Sequence, residues 1–227
     1  MLRRTISALA LTTLGAVSLP AQPSSGLRFE VTLDPSLPAQ PAGRLLVVLV
    51  GVGGGSSDRV EPRRFIGRAG GGAVPTLGAD APALRPGALI IVDAAAAAIF
   101  PLERFTDLPA GDYRVQAVLS SNRDLRAPNA PGNLYSDSVR VTLGPPRAAP
   151  VRLTLTRRVP DEVLPPDTPF LRFIKFRSEL LSAFHGRPIY LRAGVIPPEG
   201  YDQEIDLRYP LRVRIGGYGE RYTEVQS

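Results

Sequence analysis

Apolar and polar residues alternate along several short stretches in the first two thirds of the chain. Residues 27–33 place Leu, Phe, Val and Leu at every second position, which is the period of a half-buried β-strand. Residues 113–119, 138–143 and 151–156 show the same alternation. Residues 44–50 are instead almost continuously apolar, and this pattern predicts a strand buried on both faces.

The segments between these strands are rich in glycine, proline and polar residues. Residues 51–87 and 122–133 are predicted to be loops, residues 108–112 are predicted to be a turn, and a further strand is predicted at 88–92. Short strands with a period of two, separated by turns, are typical of antiparallel β-sandwiches. The sequence therefore predicts a mainly β protein with such a sandwich over residues 27–158.

The rest of the chain reads differently. Residues 159–169 contain four prolines and three acids, which exclude a helix or a central strand, so we predict an interdomain linker there. Three further strands are predicted at 170–177, 187–196 and 210–216, the first two paired as a hairpin. Three strands cannot bury both faces of an α/β sheet, so residues 170–227 are predicted to be an incomplete domain.

Two segments carry resemblances to known families. The run Leu-Pro-Ala-Gly-Asp-Tyr-Arg-Val-Gln-Ala-Val-Leu at 108–119 resembles immunoglobulin-like modules of secreted bacterial proteins. Farther along lie Gly-Arg-Pro at 186–188, Pro-Pro-Glu-Gly-Tyr at 197–201, Tyr-Pro-Leu at 209–211 and Gly-Gly-Tyr-Gly at 216–219. This order resembles the start of the secreted esterase family of α/β-hydrolases, which includes enterochelin, feruloyl and acetyl esterases. In that family a G-R-x strand leads to P-x-G-Y, then to Y-P-V, and then to a strand that ends in H-G-x-G.

The esterase resemblance implies one candidate site. In the family, the loop after the third strand supplies a backbone N–H that stabilises the oxyanion, and Gly217 and Tyr218 occupy that place here. The sequence departs from the family at Gly216, where the family has histidine. Arg212 and Arg214 also lie in a strand that is usually apolar. Either this strand is less buried than in the family, or the domain has drifted from an active esterase.

The rest of the catalytic machinery is missing from the sequence. No G-x-S-x-G motif occurs, and His185, the one histidine, lies before the second C-terminal strand rather than near the end of a domain. The nucleophile, acid and histidine of a triad are therefore lacking. The sequence predicts an N-terminal fragment of an exported carboxylic-ester hydrolase, inactive alone, that meets an ester or polymeric substrate only as part of a longer protein. The alternative is a non-catalytic exported binding module that uses loops 51–87 and 122–133.

Composition excludes several other functions. The net charge is +6 and comes almost entirely from arginine, since Lys175 is the one lysine. These arginines alternate with apolar residues instead of forming a basic patch, so no nucleic-acid partner is expected.

No cysteine is present to ligate a metal, and the acidic series Asp202, Glu204 and Asp206 lacks the glycine and glutamate of a calcium loop. The glycine-rich segment 51–56 lacks the Gly-Lys-Ser/Thr of a phosphate loop. No cofactor or metal is expected.

Residues 1–21 have the layout of a secretory signal peptide. Arg3 and Arg4 are followed by an apolar stretch at 6–17 and by Ser-Leu-Pro-Ala, which predicts cleavage after Ala21. The apolar stretch is too short to cross about 30 Å of hydrocarbon. No later segment is long and apolar enough to do so. The sequence therefore predicts a secreted or periplasmic protein with no integral membrane segment after cleavage.

Overall fold

The computed structural model of the chain describes residues 26–53, 55–125, 127–144, 149–204, 206–217 and 220–225. The predicted signal peptide at 1–21 and the candidate oxyanion residue Tyr218 lie outside these described residues. The described part is mainly β, which confirms the predicted class at that level.

The strands belong to a nine-stranded sheet and a separate two-stranded sheet. The larger sheet consists of β1 (Phe29–Leu33), β2 (Gly43–Gly51), β3 (Thr76–Ala81), β4 (Leu89–Val92), β5 (Ala98–Phe100), β6 (Gly111–Ser120), β7 (Leu134–Ser136), β8 (Val139–Leu143) and β9 (Val151–Arg158). The smaller sheet pairs β10 (Arg172–Arg177) with β11 (Tyr190–Val195), and the helix α1 (Glu179–His185) lies between them in the chain. Short 3₁₀ helices cover Ser56–Arg59, Pro62–Phe65, Gly70–Gly72, Phe105–Asp107 and Tyr222–Glu224.

The larger sheet is mixed rather than purely antiparallel. Its strand order is β4-β1-β9-β7-β6-β2-β3-β5, and β8 pairs with the end of β6 that β7 leaves open. The described pairs are antiparallel except for β1 and β9, which run parallel. The expectation of a wholly antiparallel sheet was therefore wrong at this pair. Along the chain, β1 is the first strand of this sheet and β9 is the last. The long stretch of chain between them is enough to connect two parallel neighbours.

The sheet curls so that its inward-facing side chains meet in one core. The core includes Phe29, Val31, Leu45, Val47, Leu49, Leu77, Val115, Leu119, Leu153 and Leu155. These residues follow the alternation that the sequence showed in β1, β6 and β9, because successive side chains of a strand point to opposite faces. The hydrophobic pattern therefore set which face of each strand is buried.

The middle of the central pair β2–β6 is buried on both faces. Val48 of β2 and Gln116 of β6 lie outside the core cluster and are nevertheless 0% exposed. The segment that contains Arg63 covers them, and the N–H of Arg63 donates to Oε1 of Gln116 at 3.0 Å. The Gln116 amide nitrogen in turn donates to the Ser136 carbonyl of β7 at 2.8 Å. This second layer explains why 44–50 is almost continuously apolar.

Three short strands were not predicted. Strand β3 lies inside 51–87, where a loop was expected, and its sequence Thr-Leu-Gly-Ala-Asp-Ala offers few large apolar residues to reveal a period. Strands β5 and β7 have three residues each, which is too short for a period of two to appear. Each is held by its pairing with a longer neighbour, which a local pattern does not report.

The C-terminal segment agrees with the prediction in part. The predicted pairing of its first two strands is observed as β10–β11. The third predicted strand, 210–216, does not form, and residues 207–217 have no regular secondary structure. Its apolar residues Leu211 and Ile215 are 87% and 91% exposed. A strand needs a neighbour for its backbone hydrogen bonds, and in the described part of the chain β10 and β11 pair only with each other.

Gln116 should be a strong determinant of stability. We expect Gln116→Ala to lower the free energy of unfolding by about 2–4 kcal/mol, because it leaves the buried Arg63 N–H and Ser136 carbonyl unpaired and opens a cavity. Urea denaturation measures this change. The control is Gln40→Ala. The Gln40 side chain donates at the surface to the Pro38 carbonyl, and its removal should change the free energy of unfolding by less than about 0.5 kcal/mol. Equal effects of the two substitutions would contradict the two-layer description.

Candidate binding cleft

A cleft of about 910 Å³ opens on the outer face of the central strands. Arg44 and Leu46 of β2 and Ser120 of β6 form its floor, and Arg44 is paired with Ser120 across the two strands. These residues share the outer face with Val48 and Gln116, which the 3₁₀ segment covers. The cleft therefore lies where the covering layer ends.

Three segments that are distant in the chain surround this floor. The first is Ile66-Gly67, just after the 3₁₀ helix Pro62–Phe65. The second is the loop after β6, which contributes Asn122, Arg123, Ala127 and Pro128. The third is the end of α1, which contributes His185 and Arg187. The cleft is thus shared between the larger sheet and the C-terminal segment.

The end of α1 is fixed by capping groups. The N–H of Leu181 donates to Oγ of Ser178 at 3.3 Å, and Gly186 ends the helix with φ +61°, a left-handed conformation that suits glycine. Oγ of the buried Ser182 accepts from the N–H of Ile189 at 2.9 Å and so folds the following turn back onto the helix. This helix was not predicted, although the serine before it and the glycine after it are sequence signals of its two ends.

Two asparagines shape the loop after β6. Oδ1 of Asn122 accepts from the N–H groups of Asp124 and Leu125, at 2.8 and 2.9 Å. Oδ1 of the fully buried Asn133 accepts from the N–H groups of Ser121 and Asn122, at 3.0 and 2.9 Å. Side-chain acceptors of this kind replace the missing backbone partners of a turn. The loop that bears Arg123 is therefore a defined structure.

Polar contacts join this loop to the C-terminal segment. Arg192 of β11 forms an ion pair with Asp124, with 13% and 31% of the two side chains exposed. The hydrogen bond that the Arg192 guanidinium donates to the Asp124 carboxylate raises the pKa of Arg192 above its ordinary value. Close by, the Arg187 guanidinium donates to the Arg123 carbonyl at 3.0 Å. Two walls of the cleft are therefore held together at this point.

The cleft is basic. Arg44, Arg123, Arg187 and His185 line it, and no carboxylate is among the described residues of the lining. The guanidinium of Arg44 lies across β3, where it pairs with Asp80 at 2.7 Å and donates to the Gly78 carbonyl at 2.9 Å. A Cβ at Gly78 would lie 3.0 Å from Nε of Arg44, so a larger residue there would displace the guanidinium by a few tenths of an ångström.

The residues predicted for an oxyanion hole are not part of this cleft. Gly217 is exposed, in a segment without regular secondary structure, and its carbonyl accepts from the N–H of Glu220 at 3.2 Å. It is not among the residues that line the cleft, whereas His185 is. Tyr218 lies outside the described residues. The oxyanion role of Gly217 and Tyr218 stays a prediction from the resemblance.

The described residues contain no group of three or more histidine, aspartate or glutamate side chains arranged to hold a metal ion. Of the acids at 202, 204 and 206, Asp202 pairs with Arg172 and Glu204 accepts from the hydroxyl of Tyr209. Within the same part of the chain, no helix has the length and apolar character needed to cross a membrane.

We compared the chain with protein-family models, with curated proteins and with solved structures, and none of them matches it. The family resemblances therefore rest on the motifs at 108–119 and 170–219. The chemistry of the site has to be argued from the side chains themselves.

The ion pair between Asp124 and Arg192 should stabilise the loop wall. We expect Asp124→Asn to lower the free energy of unfolding by about 1–2 kcal/mol, because it leaves a mostly buried guanidinium without its counter-ion. Backbone amides of the loop after β6 should also exchange faster in hydrogen–deuterium exchange. The matched control is Asp137→Asn, because Asp137 pairs with Arg157 where both side chains are more than half exposed. Unchanged exchange in Asp124→Asn would show that the contact does not hold the loop.

Proposed function

We propose that this chain acts as a non-catalytic exported binding module and that the cleft is its binding site. A volume of about 910 Å³ falls in the range of small-molecule sites. The cleft combines a rigid floor on β2 and β6 with walls made of loops, which is a common arrangement for recognition. This combination is the observation that carries the proposal. Export rests on the signal sequence predicted at 1–21.

We further propose that the larger sheet is an immunoglobulin-like sandwich. Tyr113 at the start of β6 supports this assignment, because its hydroxyl donates to the carbonyl of Pro109, four residues upstream, at 2.9 Å. A tyrosine that bonds back in this way at the corner before a strand recurs in immunoglobulin-like domains. Burial raises the pKa of Tyr113 above its ordinary value, in keeping with a protonated phenol that donates in this bond. The single core of the curled sheet supports the same assignment.

The two loops expected to carry recognition both contribute to the cleft. Ile66 and Gly67 come from the first, residues 51–87, and Arg123, Ala127 and Pro128 come from the second, residues 122–133. The C-terminal segment adds His185 and Arg187, which the loop hypothesis did not include. In this proposal, the segment after the linker completes the binding site.

Filling the cleft tests the binding function. Ala127 is exposed and lines the cleft, so the indole of Ala127→Trp should occupy it with little effect on the core. With a panel of neutral and acidic oligosaccharides and simple organic acids and esters, we expect this variant to bind any ligand of the unmodified chain at least about tenfold more weakly. The control Ala83→Trp adds the same side chain at an exposed site outside the cleft. Ligands that bind both variants alike would place the binding site elsewhere and refute the proposal.

A second candidate function is that of an exported carboxylic-ester hydrolase of which this chain is the N-terminal part. The pairing of β10 with β11 supports it, because these strands lie where the esterase resemblance puts the first two strands. In this proposal Gly217 or Tyr218 contributes an oxyanion N–H, and the triad lies in chain that follows Ser227. The complete enzyme would form an acyl-serine intermediate and hydrolyse it. The sandwich would help to recognise a bulky or polymeric ester.

The intact mass of the protein in its source cells tests the second candidate. If the protein is an esterase, its native mass should be well above the 24.3 kDa of this chain, because a full hydrolase domain would roughly double the length of the chain. Its coding sequence should then continue into a G-x-S-x-G motif. A native mass of about 22 kDa, equal to the chain without its signal peptide, would rule the esterase out. The binding proposal does not depend on either result.

A further inference from the structure

Three arginines, Arg44, Arg123 and Arg187, are among the described residues that line the cleft, and no acidic residue is among them. Two of the three, Arg123 and Arg187, lie on neighbouring segments of the wall. Arg187 is half-buried and donates to the Arg123 carbonyl at 3.0 Å, so its side chain is held in place beside the opening. A guanidinium that is already ordered loses less entropy when it binds a planar oxyanion.

The third arginine is Arg44 on the floor. Its guanidinium reaches across β3, where its counter-ion is Asp80, which is 92% exposed. An ion pair between solvated groups is worth little, so it does not prevent Arg44 from attracting a second anion from the cleft side. The contact with the Gly78 carbonyl fixes the position of Arg44. The floor and the wall therefore each offer a positive site.

The rest of the lining is partly aliphatic. Leu46 and Ile66 are half-buried, and Ala127 and Pro128 line the same cleft together with the polar Ser120 and Asn122. The described lining residues include no aromatic ring of the kind on which a sugar stacks. Aliphatic side chains beside cationic residues suit a ligand with an apolar body and charged ends.

We infer that the cleft binds a small organic anion that has two oxyanion groups joined by a short apolar body. One group binds Arg123 and Arg187 on the wall, and the other binds Arg44 on the floor. Carboxylate and phosphate share the geometry that a guanidinium recognises with paired N–H groups. This inference rests on the proposed binding function and adds the chemical class of the ligand.

Calorimetric titration of the full chain with adipate tests the inference. Adipate has two carboxylates on a four-carbon body, and adipamide is its neutral counterpart of nearly the same shape. We expect adipate to bind saturably and adipamide to bind at least about tenfold more weakly, because charge-assisted hydrogen bonds are lost. Sodium chloride should weaken the adipate complex. Inorganic phosphate, titrated alone, shows whether the site prefers phosphate over carboxylate.

Charge-removing variants locate the binding. Arg123→Gln and Arg187→Gln should each lower the affinity for adipate about tenfold, which is the contribution of one charge-assisted hydrogen bond. Arg187→Lys should be intermediate, because it keeps the charge and loses the paired N–H geometry. The control Arg140→Gln removes an exposed arginine of β8 that does not line the cleft, so it should leave binding unchanged. Thermal unfolding midpoints verify that each variant is folded.

The outcomes separate the ligand class from the binding function. If adipate and adipamide bind equally and Ala127→Trp abolishes both, the cleft is a binding site and the anion inference is wrong. If the two arginine variants and Arg140→Gln weaken adipate equally, binding reflects overall charge, and the inference is also overturned. Phosphate binding that depends on Arg123 and Arg187 would support the inference and identify phosphate as the preferred group.

Discussion

The burial of both faces of the β2–β6 pair is the constraint on which the rest of the structure depends. One face belongs to the main core, which the curl of the sheet closes. The other needs a second cover, and the 3₁₀ segment around Arg63 provides it through the buried amide of Gln116. That cover stops short of Arg44 and Leu46. The cleft is the uncovered remainder of the same face. The strands β2 and β6 therefore form both the centre of the core and the floor of the candidate site.

The parts of the fold that the sequence could predict are those with strong local patterns. Strands β1, β2, β6 and β9 have clear alternation or continuous apolar runs, and they lie close to where those patterns put them. Strand β3 and the three-residue strands were not predicted, because their strand conformation depends on pairing with neighbouring strands rather than on a local sequence pattern. The segment 210–216 failed for the converse reason. Its alternation is correct for a strand, yet the described structure has no edge beside it to pair with.

The candidate site was harder to predict than the fold. Arg44, Arg123 and Arg187 are separated by scores of residues, and nothing local connects them. The alternation with apolar residues indicated that the arginines lie on strands, as Arg44 does, but Arg123 and Arg187 lie on loops. His185 was set apart from a triad histidine by its place before the second C-terminal strand, and it is exposed, at the end of a helix. Only the topology shows that these groups share one opening.

The separation of floor from walls bears on how this protein can change over evolutionary time. The floor is made of strands whose inward side chains form the core, whereas Arg123, Ala127 and Arg187 contribute nothing to that core. Substitutions in exposed loops usually alter folding free energy little. Descendants of this chain could therefore acquire new ligands by exchanging wall residues while the same sheet persists. Sequence divergence should accordingly be concentrated in the walls, and β2 and β6 should drift slowly.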